Sequence, residues 1–302
     1  MEPIPVFPNF REIKIDDRRL FDDYFRQIQP RISEYTFANL FTWRHIFDIK
    51  ISLLYENIVI QLIDTHGHRI FTPFIGGIRL KEALDACLNY ARSQWKEVRF
   101  GLFPEDQLQL FKLYYPTAPI TIDRDAGDYV YNANDLITLK GKKYDGKRNH
   151  ITRFKNKYEY TYQRLEAKHI NGCKDLLEKW YHQHCDYWEC SLSLRSEIEA
   201  CKEALDNFKK LDLGGGIIDI DKQIIAFSIG EALNKDTFVV HFEKADADYK
   251  ELPAVINQEF ATQEAKDFKY INREEDLGEL GLRVSKMSYN PAFLIDKYYI
   301  TF

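Results

Sequence analysis

Apolar residues in the first half of the chain recur first at helical spacing and then at strand spacing. Leu20, Tyr24 and Ile28 fall on one face of a helix. Residues 50–55 and 57–63 are rich in β-branched side chains and flank a short polar turn, which indicates a hairpin. The full pattern predicts helices over 18–29, 35–47, 80–96 and 105–114, strands over 50–55, 57–63, 69–73 and 98–102, and an extended segment over 129–131.

The second half shows a similar order of elements without a residue-level repeat. Turns at 221–222 and 234–236 separate three apolar segments, so we predict an antiparallel meander there. The pattern predicts helices over 143–158, 171–184, 196–211 and 253–267, and strands over 216–220, 224–233, 237–243, 269–272 and 298–302. Residues 115–140 are the expected junction, and the fold class is α+β, that is, mixed α/β.

Composition places the chain among ordinary globular proteins. It has 302 residues, 45% of them hydrophobic, 15% aromatic and 29% charged, with a net charge of −5. This length suits two domains, and the net charge argues against a wholly basic nucleic-acid-binding protein. The N-terminal residues lack the pattern of a secretory signal, and the five cysteines show no CxxC pair, so we expect a cytoplasmic protein with reduced thiols.

A strongly basic stretch interrupts this acidic chain. Residues 140–157 contain eight Lys or Arg side chains and a single acidic residue, Asp145. Such a helix suits phosphate on a lipid headgroup, a tRNA backbone or a cofactor, and the alternative is a solvated helix face. The predicted phosphate-binding or substrate-binding residues are Lys142, Lys143, Lys147, Arg148, Asn149 and Arg153.

The segment between the strand 237–243 and the next helix is a second candidate site. Pro253 suits the first turn of that helix, and free N–H groups at such a point can bind a pyrophosphate. However, the glycine-rich loop that usually holds the cofactor pyrophosphate in acyl-CoA transferases is missing, and nearby carboxylates repel an anion, so an ordinary turn is the alternative. The predicted cofactor-binding residues are Lys244, Tyr249, Lys250, Leu252 and Ala254.

Two polar residues of the same strand are the candidate catalytic groups. Strand alternation predicts that His241 and Glu243 share one face, with Glu231 on the adjacent strand. Either could act as a general base, and the alternative is a half-exposed strand face. The carboxylates at 273–276 could bind a cationic acceptor or a metal, but the charges there are predicted to lie in a solvated turn. The residues His182, His184, Cys185 and Cys190 match no common zinc spacing, so no metal is expected.

Several of these segments resemble one bacterial family. The stretches 147–154, 224–229, 240–245 and 270–278 are similar to the C-terminal domain of lysyl-phosphatidylglycerol synthases and to an uncharacterised branch related to it. The resemblance implies two tandem lobes of the GNAT (acyl-CoA N-acyltransferase) type, as in Fem-type aminoacyltransferases. Each lobe would be a central, mostly antiparallel sheet flanked by helices, with lobes at 1–130 and 131–302 and a tunnel between or within them.

The resemblance also implies a function. We expect transfer of an acyl or aminoacyl group from acyl-CoA or aminoacyl-tRNA to an amine or hydroxyl acceptor, with coenzyme A or acyl-CoA as the candidate cofactor. The alternative is a non-catalytic module of the same fold that binds a nucleotide, tRNA or lipid phosphate. The sequence predicts no transmembrane segment and leaves peripheral membrane contact open.

Overall fold

The computed structural model describes residues 2–185 and 192–302. The helices are α1 (Arg18–Ile28), α2 (Phe37–Thr42), α3 (Leu80–Gln94), α4 (Glu105–Tyr114), α5 (Ala133–Thr138), α6 (Asp145–Lys157), α7 (Ile170–His184), α8 (Leu192–Asp206), α9 (Leu252–Glu264) and α10 (Leu280–Met287). The strands are β1 (Arg11–Glu12), β2 (Lys50–Leu54), β3 (Asn57–Ile63), β4 (Arg69–Phe71), β5 (Arg99–Phe103), β6 (Ile120–Asn132), β7 (Thr161–Arg164), β8 (Gly214–Ile220), β9 (Gln223–Ala232), β10 (Thr237–Ala245), β11 (Tyr270–Asn272) and β12 (Phe293–Thr301).

The chain divides into two compact units that are not continuous in sequence. Unit 1 consists of Met1–Asp128, Glu275–Gly278 and Ile295–Phe302, and unit 2 consists of Tyr129–Glu274 and Glu279–Leu294. The first junction falls between Asp128 and Tyr129, and the division into lobes at 1–130 and 131–302 stays a prediction. The last eight residues belong to unit 1, so neither unit is one continuous segment of the chain.

Unit 1 is built on a mostly antiparallel arrangement of strands. Strands β1, β2, β3 and β4 pair in that order as antiparallel neighbours, β4 and β5 are parallel, and β5 pairs with β12 in antiparallel orientation. Helix α3 covers this layer because Ala83, Cys87 and Ala91, spaced four residues apart, form a fully buried stripe. Phe71, Phe100 and other aromatic side chains pack beneath it, so the core is stabilised largely by burial of aromatic rings.

Unit 2 contains the meander that the sequence predicts. Strands β7, β8, β9 and β10 are successive antiparallel neighbours, β10 and β11 are parallel, and β11 pairs with the end of β6 in antiparallel orientation. Helix α9 packs on β8, β9 and β10. Phe260 of α9 meets Phe238 of β10 edge to face at 5.7 Å, so the apolar face of the helix closes the core there.

The structure contains elements that the hydrophobic pattern does not predict. Strand β6 extends over the segment that we expected to be a junction, and α5, β7 and α10 are additional. Strand β6 contains the charged run 123–125 and Gly127, which interrupt the apolar alternation in its sequence. Helix α2 ends at Thr42, well before the predicted position 47, and the chain continues from there as turns.

The three glycines 214–216 start strand β8. A Cβ atom on Gly216 would lie 2.0 Å from the Tyr162 hydroxyl of the neighbouring strand β7. The glycines are therefore explained by the close approach of side chains across the sheet, which a single sequence does not reveal.

The cysteines are not all reduced thiols. Cys87, Cys173 and Cys201 are free and buried. Cys185 is disulfide-bonded, so the expectation of a free thiol is wrong for it; Cys190 lies outside the described residues. The sequence shows only the spacing of cysteines, whereas a disulfide depends on the approach of their Cβ atoms in space. Across the described ranges, no helix is both long and apolar enough to cross a membrane.

Candidate active site

Strands β10 and β11 separate after a short parallel contact, and the candidate site lies beside the point of separation. They pair only from Thr237 with Tyr270 to Val239 with Asn272. Directly afterwards a bulge between Val240 and Phe242 shifts the pairing of β10 with β9. A bulge adds one residue to a strand and re-aims the side chains that follow it. The strict alternation that predicted a common face for His241 and Glu243 is therefore interrupted between them.

His241 is held between two carboxylates. Its Nε2 lies 3.0 Å from Glu231 Oε1 and its Nδ1 lies 2.8 Å from Glu274 Oε1, and the imidazole is almost fully buried. Burial alone would lower the pKa of His241, but the hydrogen bonds with Glu231 and Glu274 outweigh it and raise the pKa to about 10. A protonated imidazole donates from both nitrogens, so the geometry does not favour His241 as a general base.

Glu243 belongs to a different cluster, formed with one arginine and one asparagine. Arg273 Nη2 donates to Glu243 Oε1 at 3.0 Å, and Asn257 Nδ2 of helix α9 donates to Glu243 Oε2 at 3.3 Å. Arg273 and Glu243 are both largely buried. Within the described part of the chain, Arg273 Nη1 and Asn257 Oδ1 are buried without a hydrogen-bond partner. Buried polar atoms without a hydrogen-bond partner are uncommon in proteins, so these two atoms mark the cluster as a candidate binding site.

Three aromatic and cationic side chains surround this cluster. The Arg273 guanidinium lies 5.0 Å from the ring centre of Tyr289 and 5.9 Å from that of Tyr131. Lys147 Nζ lies over the same Tyr289 ring at 3.7 Å. Burial first, and then the charge of Arg273, lower the pKa of Lys147 to about 8. Lys147 is thus the residue of the basic helix whose charge is coupled to the Glu243 cluster.

A cavity of about 240 Å³ adjoins Glu243 at the start of helix α9. Tyr249 and Lys250, two of the predicted cofactor-binding residues, line it together with Glu243. The other lining residues are Trp180, His184, Ala245, Asp246, Ala247 and Pro253. The structure therefore brings a candidate base and part of the predicted donor segment to one cavity of unit 2.

The remaining predicted cofactor residues do not line this cavity. Lys244 is buried over the Trp180 ring at 3.8 Å and is ion-paired with Glu197. Leu252 and Ala254 lie in the first turn of α9, and their side chains are buried in the core. Their N–H groups donate to Tyr249 O and Glu251 O, so they are already engaged in turn hydrogen bonds.

The loop before α9 is fixed to α7 through a carboxylate. Asp246 accepts hydrogen bonds from Lys179 at 2.6 Å and Gln183 at 2.8 Å, and Lys179 also contacts Asp248. Burial raises the pKa of Asp246, but these hydrogen bonds outweigh it, so the pKa is lowered. The carboxylates at this join repel an added anion, which weakens the predicted pyrophosphate site.

The basic stretch does not form one cluster. Lys142, Lys143, Asn149 and Arg153 are exposed, and Lys143 is ion-paired with Asp135 at 3.4 Å. Arg148 donates to Leu139 O and Gly141 O and pairs with Asp145, so its guanidinium is used to hold the preceding turn. Phosphate binding by these residues stays a prediction.

Sequence reasoning missed Arg273, Asn257 and Tyr289. Arg273 was assigned to a solvated turn, but that prediction is wrong because 273–275 is partly buried and Asp276 is fully buried; Glu274 binds His241. Asn257 lies on the buried face of α9, where a polar residue among apolar ones is the one available sequence indication. In the described residues, no group of three or more His, Cys, Asp or Glu side chains could hold a metal ion.

Comparisons with known proteins agree with this architecture. Residues 25–301 match the family model described as "Phosphatidylglycerol lysyltransferase, C-terminal". An uncharacterised protein of Mycoplasmoides gallisepticum is 26% identical over 183 residues, which are 59% of this chain and 57% of that protein. The chain thus spans a little more than half the length of that curated relative.

Three solved structures are similar over nearly the whole chain. A conserved protein of unknown function from Bacteroides thetaiotaomicron is 34% identical with a TM-score of 0.89, covering 97% of this chain and 98% of that one. L-PGS from Bacillus licheniformis is 11% identical with a TM-score of 0.64, covering 99% and 93%. FemX is 7% identical with a TM-score of 0.58, covering 96% of each chain. The predicted mixed α+β, Fem-like fold is confirmed.

Proposed function

We propose that this chain, which belongs to the phosphatidylglycerol lysyltransferase C-terminal family, transfers an aminoacyl group from aminoacyl-tRNA to an amine or hydroxyl acceptor. The observation that carries the proposal is the Glu243 cluster, in which a buried carboxylate adjoins a cavity. Arg273 Nη1 and Asn257 Oδ1 remain available for a ligand among the described atoms. Buried polar atoms are costly to leave unpaired, so a bound substrate would stabilise the cluster.

The three groups match the needs of acyl transfer. The acceptor nitrogen or oxygen would attack the ester carbonyl of the donor while Glu243 accepts its proton. Arg273 Nη1 would donate to the oxygen on which negative charge develops, and Asn257 Oδ1 would accept from the α-amino group of the aminoacyl moiety. The new bond to the carbonyl carbon forms, the ester bond to the tRNA ribose breaks, and the proton passes to the leaving oxygen.

The join before α9 favours tRNA over acyl-CoA as the donor. The segment 241–254 contains no glycine, at least four of its N–H groups donate to backbone carbonyls, and Asp246 and Asp248 are carboxylates. A compact pyrophosphate site is therefore poorly supported. An aminoacyl-tRNA donor needs only that its acylated end reach Glu243. Because tRNA is aminoacylated in the cytoplasm, this donor would also place the protein there. Acyl-CoA is the second candidate donor because the fold is compatible with it.

The proposal is tested by following a labelled aminoacyl group. Radiolabelled lysyl-tRNA and a panel of other aminoacyl-tRNAs are incubated with the chain, with phosphatidylglycerol vesicles or free amines as acceptors. We expect label to move from tRNA to one acceptor class. Glu243→Gln keeps the shape of the side chain but removes the base, so we expect the rate to fall by about 100-fold or more.

The matched control is Glu159→Gln, because Glu159 is an exposed glutamate of the same unit. It is expected to leave transfer unchanged. Equal rates for Glu243→Gln and wild type would overturn the assignment of the base. Release of free coenzyme A from acetyl-CoA, with no transfer from tRNA, would show that the donor is acyl-CoA and not aminoacyl-tRNA. Saturable tRNA or coenzyme A binding without turnover would instead support the non-catalytic module.

A further inference from the structure

Unit 2 contains a second cavity, which lies between helix α7 and the strands β7, β8 and β9. Its volume is about 600 Å³, within the range of cavities that hold small organic ligands. Gln163, Ile217 and Asp219 line it from the strands, and Gly172 lines it from the helix. No member of the Glu243 cluster lines this cavity, so it is separate from the candidate active site.

Asp219 is a nearly buried carboxylate of which only one oxygen is hydrogen-bonded. Its side chain lines the cavity, and the residue is 9% exposed. The Thr161 hydroxyl and Gln163 Nε2 of the neighbouring strand β7 both donate to the same oxygen, Asp219 Oδ2, at 2.5 Å and 2.8 Å. Among the described residues, no group donates to Asp219 Oδ1 and no cation forms an ion pair with the carboxylate. Burial of a carboxylate without a cation is costly, so a positively charged ligand would stabilise this residue.

Three lysines line the same cavity, and none of them neutralises that carboxylate. Lys179 Nζ is bound to Asp246 at 2.6 Å, and Lys168 Nζ is bound to Glu166 at 3.1 Å. Lys222 lies exposed on the hairpin turn between β8 and β9, and across the described ranges it forms no ion pair. The cavity therefore offers one buried acceptor to a ligand and, at its rim, one exposed cation.

The other lining groups indicate an organic ligand. Leu176, Ile217 and Ile224 give the cavity apolar surface beside the carboxylate. Metal ions need several oxygen or nitrogen ligands, and within the described part of the chain no group of three or more His, Cys, Asp or Glu side chains could supply them. A molecule with a methylene chain and an ammonium group matches both kinds of surface, because the chain packs on the aliphatic side chains and the ammonium donates to the carboxylate.

We propose that this cavity is a second binding site, which holds a small organic molecule through a primary ammonium group that donates to Asp219 Oδ1. Such a group occurs both in simple amines and in amino acids, and a carboxylate on the ligand would meet Lys222. The inference does not depend on the proposed transfer reaction, because neither Glu243 nor its two hydrogen-bond partners line the cavity.

Isothermal titration calorimetry of the whole chain near neutral pH tests the proposal with three probes. Putrescine has two ammonium groups, ornithine has the same chain with an added carboxylate, and the diol of the same chain length has no charge. We expect saturable binding of putrescine or ornithine and no binding of the diol. Tighter binding of ornithine would identify an amino acid as the ligand, and tighter binding of putrescine would identify an amine.

Asp219→Asn should weaken binding of the tighter probe at least about tenfold, because it removes the charge of the acceptor. The variant keeps an oxygen that can accept from Thr161 and Gln163, so the fold should be retained. Asp175→Asn changes an exposed carboxylate that lines the same cavity, so folding is not affected and a loss of about twofold is expected.

Asp267→Asn is the matched control, because Asp267 is an exposed aspartate of unit 2 that does not line the cavity. It makes the same change in net charge and should bind the probes as wild type does. Circular dichroism of all variants separates lost binding from lost folding. The proposal would be refuted if neither amine binds, or if Asp219→Asn and Asp175→Asn bind as tightly as Asp267→Asn. Binding that Glu243→Gln abolishes and Asp219→Asn leaves intact would place the ligand in the candidate active site and would also refute it.

Discussion

The buried His241 makes stability depend on pH in a defined direction. Its pKa is 6.5 in an unfolded chain and about 10 in the folded protein, because Glu231 and Glu274 hold the protonated form. A group with a raised folded pKa contributes stability that is fully present below its unfolded pKa and is lost as pH rises through the folded value. The stability advantage of wild type over His241→Gln should therefore be greatest below pH 6.5 and shrink as pH approaches 10.

The measurement is the free energy of unfolding in urea across that range of pH. His66→Gln is the control, since the His66 side chain is largely exposed and contacts a single carboxylate, Asp123. It should show no comparable slope. An advantage of the wild type over His241→Gln that stays constant from neutral to alkaline pH would contradict the buried imidazolium.

Unit 1 contains a second buried charge cluster, centred on Lys297. Its Nζ lies 2.6 Å from Glu34 Oε1, 2.7 Å from Asp128 Oδ1 and 3.7 Å from Glu275 Oε2. Burial raises the pKa of Glu34 to about 8, despite the opposing charge of Lys297. Lys297 is the cation that contacts all three carboxylates, so its loss would remove positive charge from a buried acidic cluster.

We therefore expect Lys297→Met to lower the free energy of unfolding by about 3–5 kcal/mol near neutral pH. The loss should be smaller at acid pH, because a buried carboxylate that has lost its neighbouring cation takes up a proton more readily. Lys50→Met is the comparison, as Lys50 pairs with the partly exposed Asp48 and should cost less than about 1 kcal/mol. Urea unfolding of both variants at two pH values measures the two losses of free energy. An equal loss for the two variants would contradict the larger effect expected at Lys297.

The candidate site was predictable from sequence only in part. Glu243 stands out as a charged residue on an apolar strand, and alternation was enough to single it out. The partner Arg273 is 30 positions away and looks like part of a solvated turn, so nothing local indicates its burial. The bulge beside His241 was equally hidden, because it arises from the pairing of two strands.

At the scale of elements, the contact between β9 and β10 depends on a glycine. A Cβ on Gly230 would lie 2.1 Å from the carbonyl oxygen of Val239, which is backbone and is not free to move aside. Gly230 also pairs with Val240 at the edge of the bulge. We expect Gly230→Ala to force the strands apart and lower the free energy of unfolding by about 1–3 kcal/mol.

Gly146 of helix α6 provides the opposite case. A Cβ there would have no heavy atom within 4 Å, and helical backbone favours alanine over glycine. Gly146→Ala should therefore raise the free energy of unfolding by about 0.5–1 kcal/mol. Thermal or urea unfolding of the two variants measures both effects, and a change of the same sign at both glycines would contradict this account.

Elements with a strong hydrophobic period were predicted well. Elements whose apolar residues face outward or whose alternation is interrupted by charges were not. Strands β2 and β3 and helices α1, α3 and α4 lie within a few residues of the predicted ranges. Helix α10 was missed because its apolar residues face outward and its lysine faces inward. Strand β6 was predicted only over 129–131, because the charged run 123–125 obscures the alternation in the rest of the strand.

For the whole molecule, the last strand makes unit 1 depend on the last residues of the chain. In β12, Tyr298 pairs with Phe103 and Ile300 with Phe100, and Ile300 is fully buried in the core of unit 1. Unit 1 therefore completes its sheet with residues that follow all of unit 2 in sequence. We expect Ile300→Ala to destabilise unit 1 by about 2–5 kcal/mol through loss of buried methyl groups.

Hydrogen exchange followed by mass spectrometry locates that effect within the chain. In Ile300→Ala, the amides of β4 and β5 should lose protection first, although they lie about 200 positions earlier in sequence, because a sheet opens where its pairing is weakened. The control Ile122→Ala removes the same atoms from a side chain that is 56% exposed, so its exchange should match wild type. Because β12 contributes a neighbour to β5, faster exchange confined to residues 293–301 would mean that unit 1 folds without its last strand. Faster exchange in β4 and β5 as well would mean that the unit forms only when both ends of the chain are present.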